Sequence, residues 1–284
     1  MAFASTLFSR LRAIQKRSPN DDAFLPEAVP RKDCPHKDWT SNRVRQPVPT
    51  LDALIDSFDR HGYVVVPSVF PEEEIGIILD ASVRFFDEAA KADAGQLPRA
   101  YLYNGGNHAS SMLALEDYGA PQNLLISLVA NSVLMGFLEH YRGDRVMCSL
   151  THSRIRRSMP QKVRQCAPAS TEAWHTDADP AVEYHGAMIV WVPFTPTFGD
   201  YPGIEVRDNN GQVVEPEMLP GDVVVFSDRQ PHRTASAPNS TKSRYSCDVR
   251  FFDQSDVPDR VASKIAQGSL QSVRAFVRAE KSDD

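Results

Sequence analysis

An imidazole and a carboxylate stand two residues apart in Ala173-Trp174-His175-Thr176-Asp177. On an extended strand the side chains of residues i and i+2 leave the same face, so His175 and Asp177 can grip one ion together. Two histidines and one carboxylate on one face of an octahedron suit ferrous iron and leave positions open for further ligands, oxygen among them. The missing imidazole must come from another strand. His232 is the candidate, because a turn and an apolar run, Gly221-Asp-Val-Val-Val-Phe226, lead through Ser-Asp-Arg-Gln-Pro231 directly into it. His152 and His185 lie in the same part of the chain. Taken singly, any of these histidines is more often a core or surface residue than a ligand.

A His-x-Asp pair alone carries little information, and the chain contains a second copy at His36-Lys37-Asp38. That copy sits in a polar, proline-rich stretch with no strand to hold a ligand steady, and it reads as solvated loop. A further pattern follows His232. In Arg244-Tyr-Ser-Cys-Asp-Val-Arg250-Phe251 polar and apolar residues alternate, so Arg244, Ser246, Asp248 and Arg250 share one face of a strand. Taken in isolation this predicts an edge strand with one wet face. The functional alternative turns Arg244 inward to clamp a carboxylate with its planar fork, with Ser246 adding a hydroxyl on the same side.

The elements that must position these residues fall in two parts. Residues 1–49 form a basic arm, with Arg10, Arg12, Lys16 and Arg17, and then an irregular proline-rich lead-in. From Thr50, a helix carries Leu51, Leu54, Ile55 and Phe58 on one side and stops at Gly62. A short strand follows at Tyr63–Val66, and Pro71 with Glu72, Glu73 and Glu74 opens a second helix. A third helix is expected over 121–141. After Arg145 the chain turns into short β-rich runs separated by turns such as Asp208-Asn-Asn-Gly211 and Pro220-Gly221, which argues for a sandwich, jelly roll or small barrel. The expected arrangement is one domain over 50–284: a helical part at 50–144, a barrel core at 145–255 and a C-terminal helix at 257–280.

Composition narrows the function classes. The 284 residues are 42% apolar and 24% charged, ordinary for a globular protein, and the net charge of −6 argues against a nucleic-acid partner. No apolar run approaches the length of a membrane span. The four cysteines (Cys34, Cys148, Cys166, Cys247) are scattered, with no Cys-x-x-Cys pair, which fits a reducing, cytoplasmic compartment better than a disulfide framework. The basic stretch Arg154, Arg156, Arg157, Lys162 and Arg164 reads as a solvated rim, or as contacts to an anionic group on a substrate. Residues 101–108 read as an aromatic, amide-rich loop that is either a lid or plain surface.

Taken in order, these features resemble the phytanoyl-CoA-dioxygenase-like branch of the Fe(II)/2-oxoglutarate-dependent oxygenases over roughly residues 50–255. The matching pieces are Phe58-Asp-Arg-His-Gly62-Tyr-Val-Val-Val66, then Pro71-Glu-Glu-Glu-Ile75, Trp174-His-Thr-Asp177, Trp191, Gly221-Asp222 leading to His232, and Asn239, Ser240 and Arg244. The resemblance implies a fold that is mainly β with flanking helices, a double-stranded β-helix (a cupin-like jelly-roll barrel) with the N-terminal helices packed on it. It implies Fe(II) held by His175, Asp177 and His232. It further implies 2-oxoglutarate as co-substrate, its far carboxylate on Arg244 with Trp191 walling the pocket, and O2 as oxidant. The expected reaction is hydroxylation of a small molecule or natural-product intermediate with release of succinate and CO2. Asp177 argues against the halogenases of the superfamily, in which a small residue replaces the carboxylate. A cupin-like metal-dependent isomerase or epimerase would keep the three ligands without needing Arg244. A non-catalytic relative acting as a binding or regulatory subunit is the other alternative.

Overall fold

Helix α1 (Leu51–His61) begins where Thr50 turns its hydroxyl back to accept from the Ala53 amide at 3.3 Å, and it ends at Gly62, whose φ of 78° only glycine adopts without strain. Strand β1 (Tyr63–Val66) follows at once and pairs antiparallel with β8 (Val223–Ser227). Helix α2 (Glu72–Ala89) carries three acids, Glu72, Glu73 and Glu74, in its first turn, at the positive end of the helix dipole. This computed structural model describes residues 47–89, 100–103, 108–112, 131–143, 146–160, 173–178, 186–235, 239–253 and 270–272, all within one unit spanning 42–284. The basic arm, nearly all of the lead-in and the His36/Asp38 copy lie outside the described residues.

The remaining elements are β2 (Ala100–Tyr103), β3 (His108–Met112), α3 (Ser132–Arg142), β4 (Val146–Ser158), β5 (Met188–Pro193), β6 (Ile204–Arg207), β7 (Val213–Val214), β9 (His232–Thr234), β10 (Arg244–Asp253) and β11 (Leu270–Ser272). They form two antiparallel sheets. The major sheet runs β1-β8-β5-β10-β4-β3-β2, with β11 also pairing β4; the minor sheet runs β7-β6-β9. The two face each other across a core of Ile189, Trp191, Val224, Phe226 and Phe252 from the major sheet and Ile204 and Val206 from the minor one. Helices α2 and α3 pack on the other side of β10, where Phe86 meets Tyr245 at a ring separation of 6.2 Å. Every residue of β5 is buried because both of its faces are covered. The architecture is a double-stranded β-helix with helices on its major sheet, as the sequence predicts.

Four local expectations need correction. The 10-residue β10 is not an edge strand. It lies between β4 and β5, and its polar face is as buried as its apolar one: Arg244 is 3%, Ser246 0% and Asp248 4% exposed. The stretch 101–108 is not simply loop, since Tyr101–Tyr103 and His108 belong to a β2–β3 hairpin that extends the major sheet over β4; residues 104–107 lie outside the described residues. Helix α3 starts at Ser132, because Asn131 caps it by accepting from the Leu134 amide at 2.9 Å; the expected first turns at 121–130 are not among the described residues. Within the expected C-terminal helix at 257–280, residues 270–272 are a strand. They pair with Met147–Ser149, the part of β4 that β3 does not reach, and so satisfy backbone groups an edge would leave open.

Candidate metal centre

The segment Ala173–Ala178 is not a full strand. It touches the minor sheet through one antiparallel bridge, His175 opposite His232, with amide-to-carbonyl distances of 3.1 and 3.0 Å in the two directions. A third tie holds its far end, where the Ala178 amide donates to the Asp228 carbonyl at 2.8 Å. This bridge is the reason two histidines 57 positions apart become neighbours, with ring centroids 4.4 Å from each other. Trp174, one residue away and therefore on the opposite face, stacks under two guanidinium groups, Arg207 at 4.6 Å and Arg233 at 4.7 Å. Arg233 is itself held by Glu205 through a 2.6 Å bond. Cation–π contacts of this kind clamp the segment to the outside of the minor sheet.

The two imidazoles are oriented alike. His175 Nδ1 lies 2.9 Å from the Ala173 carbonyl and His232 Nδ1 3.0 Å from the Gln230 carbonyl. A carbonyl oxygen only accepts, so in each ring Nδ1 carries the proton and the Nε2 lone pair is left for a metal. One ligand atom from each of His175, Asp177 and His232 lies within 4.8 Å of the others. Among the described residues this is the one His/Cys/Asp/Glu group with metal-binding spacing. Burial pushes the His232 pKa below the usual histidine value, against the pull of Asp177, so this imidazole stays neutral, as a ligand must. Burial acts to raise the Asp177 pKa, but the charged Arg250 guanidinium, with Arg156 adding to it, holds the carboxyl below the ordinary aspartate value. Two imidazoles whose Nδ1 atoms face carbonyls, with an ionised carboxylate, are a donor set that fits Fe(II).

The triad opens into a cleft of about 440 Å³, counted with its open mouth. Its walls include Ile189, Trp191, Ile204 and Phe226 from the core, Thr234 beyond His232, and Arg156, Arg244 and Asp248. Arg244 does point inward. It donates to the Gly203 carbonyl and, at 2.8 Å, to Ser158 Oγ, and its guanidinium lies 5.2 Å from the Trp191 ring centre. Ser246 shares the Arg244 face, fully buried, and its hydroxyl has no hydrogen-bond partner among the described residues; it is not one of the residues lining the cleft.

Several residues in and behind the metal site do more than the sequence assigned them. Asp248 and Arg250 follow Arg244 on the same strand face: Arg250 Nη2 meets Asp177 Oδ2 at 3.0 Å, and Arg156 Nε meets Asp248 Oδ1 at 2.6 Å. Arg156 is therefore no part of a solvated rim, while Arg157 turns to the helical side, 3.6 Å from Asp87 and over the Phe86 ring. The alternation around Arg244 was the available signal for Asp248 and Arg250. Lys162, Arg164 and His185 lie outside the described residues.

Fold and site together define a double-stranded β-helix with a two-histidine, one-carboxylate cluster at the mouth of its barrel. No protein-family model matches the sequence, and no curated protein matches it. Solved structures do match the fold. The non-heme α-ketoglutarate-dependent epimerase SnoN from nogalamycin biosynthesis superposes with a TM-score of 0.55 at 16% identity, over 72% of this chain and 82% of its own. The carbocyclase SnoK from the same biosynthesis gives 0.56 at 15% identity, over 73% and 87%. EctD from S. alaskensis, solved with 2-oxoglutarate and 5-hydroxyectoine, gives 0.54 at 16% identity, over 76% and 86%. The chain thus has the fold of the non-heme α-ketoglutarate-dependent enzymes. Among the described residues no helix is long and apolar enough to cross a membrane.

Proposed function

We propose that the protein is a non-haem Fe(II)- and 2-oxoglutarate-dependent dioxygenase of the phytanoyl-CoA-dioxygenase-like type, hydroxylating a small molecule or natural-product intermediate. The observation that carries this reading is the convergence of His175, Asp177 and His232, with both Nε2 atoms left free by carbonyl-bound Nδ1 groups. These three residues would hold Fe(II). Arg244, in the same cleft, would meet the far carboxylate of 2-oxoglutarate beside Trp191, with Ser246, whose buried hydroxyl has no partner among the described residues, on the same strand face. When bound, iron, 2-oxoglutarate and O2 supply an oxidant strong enough to take hydrogen from carbon, with succinate and CO2 released. The chain's own share is placement and dryness: three ligands on one side of the ion, and Ile189, Ile204 and Phe226 keeping water from the rest.

Hydrogen removal also begins epimerisation and ring closure, and two proteins of this fold are described by those activities. This is the second reading. The test is an anaerobic titration of the protein with Fe(II) and then 2-oxoglutarate, which should raise a weak visible charge-transfer band, followed by a screen of small molecules for succinate release. Product mass then separates the readings: one oxygen gained for hydroxylation, an isomer for epimerisation, two hydrogens lost for ring closure. Absence of both band and succinate would overturn the proposal.

A further inference from the structure

Each ligand of a metal triad needs something to aim it, and the three here are aimed by different means. The two imidazoles are fixed by their own backbone neighbourhood, through the Ala173 and Gln230 carbonyls. Asp177 lies on the least regular of the elements, a segment joined to the minor sheet by one bridge, so the backbone alone leaves its side chain free to rotate. What restrains it comes from the opposite sheet: Arg250 Nη2 stands 3.0 Å from Asp177 Oδ2.

Arg250 is built to stay in place. It sits on β10, hydrogen-bonded between β4 and β5, opposite Ser149 on one side and Ile189 on the other. Its backbone amide donates to Ser153 Oγ at 3.2 Å, where β4 bulges and the register shifts between Asp248 and Arg250. Its side chain is 12% exposed, and the same Nη2 stands 3.9 Å from Asp248 Oδ2. Asp248 in turn is held by Arg156, whose Nε donates to Oδ1 at 2.6 Å and whose Nη2 donates to Oδ2 at 3.4 Å. Arg156, Asp248, Arg250 and Asp177 therefore form a row of alternating charge that runs from β4 across β10 to the metal-site carboxylate.

We propose that Arg250, backed by Asp248, is the positioning residue of the metal centre: it occupies one oxygen of Asp177 so that the carboxylate offers the other to the ion. This rests on the reading of His175, Asp177 and His232 as metal ligands and adds how the third is held. A carboxylate with one oxygen engaged binds through a single atom, which keeps a coordination position open that two-oxygen binding would consume. Partners that hold metal ligands from behind contribute about 10- to 100-fold to metal affinity.

The test uses the full-length protein and Co(II), whose visible spectrum reports ligand number without any turnover, alongside anaerobic Fe(II) titration. Arg250→Gln should lower Co(II) and Fe(II) affinity by about 10- to 100-fold and change the cobalt spectrum. Arg250→Lys, which keeps the charge but not the planar fork, should fall between. The decisive comparison is a cycle with Asp177→Ala: if Arg250 acts through that carboxylate, Arg250→Gln should change metal affinity by no more than about twofold in the Asp177→Ala background. Equal losses in both backgrounds would assign Arg250 a merely structural role and overturn the inference, as would wild-type affinity in the single variant. Should Arg250→Gln fail to fold, Arg250→Lys goes through the same cycle with the same criteria. Failure of the underlying reading looks different, for then the wild-type protein itself would bind neither metal.

Discussion

Replacing Arg244 with alanine separates the two halves of the proposed site. Arg244 is 3% exposed, and the guanidinium lost donates to Gly203 and Ser158 and lies over Trp191. None of those partners is a metal ligand, so the triad should keep its geometry and Fe(II) affinity should stay within about twofold of wild type. The far carboxylate of 2-oxoglutarate would lose both a charge and a two-point donor. Truncating one partner of a buried charge pair costs about 2–5 kcal/mol, and each ~1.4 kcal/mol is a factor of ten. Because the cleft opens to solvent, water replaces part of the interaction and the expected loss lies toward the lower end, about 30- to 300-fold.

The assay is anaerobic titration of 2-oxoglutarate into iron-loaded protein, followed by the visible charge-transfer band. Arg244→Lys is the control, since it keeps the charge and gives up the planar fork, and it should fall between wild type and alanine. A thermal melt of each variant in the absence of ligand checks that the barrel has formed. Equal 2-oxoglutarate affinity in Arg244→Ala and wild type, both with iron bound, would refute the assignment.

Two further outcomes follow from the electrostatics and packing of the site. Burial lowers the folded-state pKa of His232 below its unfolded value, so the stability it contributes is complete above about pH 6.5 and is lost as pH falls through the folded pKa; the metal-free melting temperature should drop from pH 7 to pH 5, and a drop just as steep in His232→Asn would refute this. Trp174→Ala removes the stacking surface of Arg207 and Arg233, each such contact being worth about 0.5–1 kcal/mol near the surface. The melting temperature should fall by about 2–6 °C, and an unchanged melt would mean that the stack does not clamp the segment.

The parts of this fold that could be read from the sequence are those set by local chemistry. Thr50 and Gly62 bracket α1 because an N-cap hydroxyl and a left-handed glycine are local necessities, and the structure places both as caps. The β-rich half announced itself through turns such as Asp208–Gly211, where the Asp208 carboxylate accepts from the Asn210 and Gln212 amides at 2.9 and 2.8 Å. His175 and Asp177 were legible as a pair because strand parity puts i and i+2 together. What stayed hidden is which side of a strand is buried. Alternation in 244–251 shows that Arg244, Ser246, Asp248 and Arg250 share a face, but a polar face turned to a functional cavity has the same pattern as one turned to water. Only the strand's position between β4 and β5 decides between them, and that depends on pairings distant in sequence. The same limit hid the partnership of Arg156 with Asp248 and the docking of residues 270–272 on β4.

That buried polar face bears on why the barrel is built as it is. A stable core would favour apolar residues at Arg244, Ser246 and Asp248, since burying charge costs free energy even when it is paired. Here the cost falls on the strand best able to carry it. β10 is 10 residues long, paired on both sides, and backed by helices, with Tyr245 against Phe86 and Cys247, Val249 and Phe251 buried on the same face. The ligands, by contrast, stand on a single-bridge segment and on the three-residue β9. Charged groups on the rigid strand reach across to an irregular, more readily adjusted pair of elements and set their geometry from outside. Arg250 does so for Asp177, while Arg244 on the same face lines the cleft where the proposal puts the far carboxylate of 2-oxoglutarate. On this reading, replacing Asp248 with asparagine should loosen Arg156 and Arg250 together. Its effect on metal affinity should therefore be indirect and smaller than that of Arg250→Gln, in proportion to the longer 3.9 Å separation. An Asp248→Asn variant that lost more metal affinity than Arg250→Gln would place the anchor of the carboxylate on Asp248 instead.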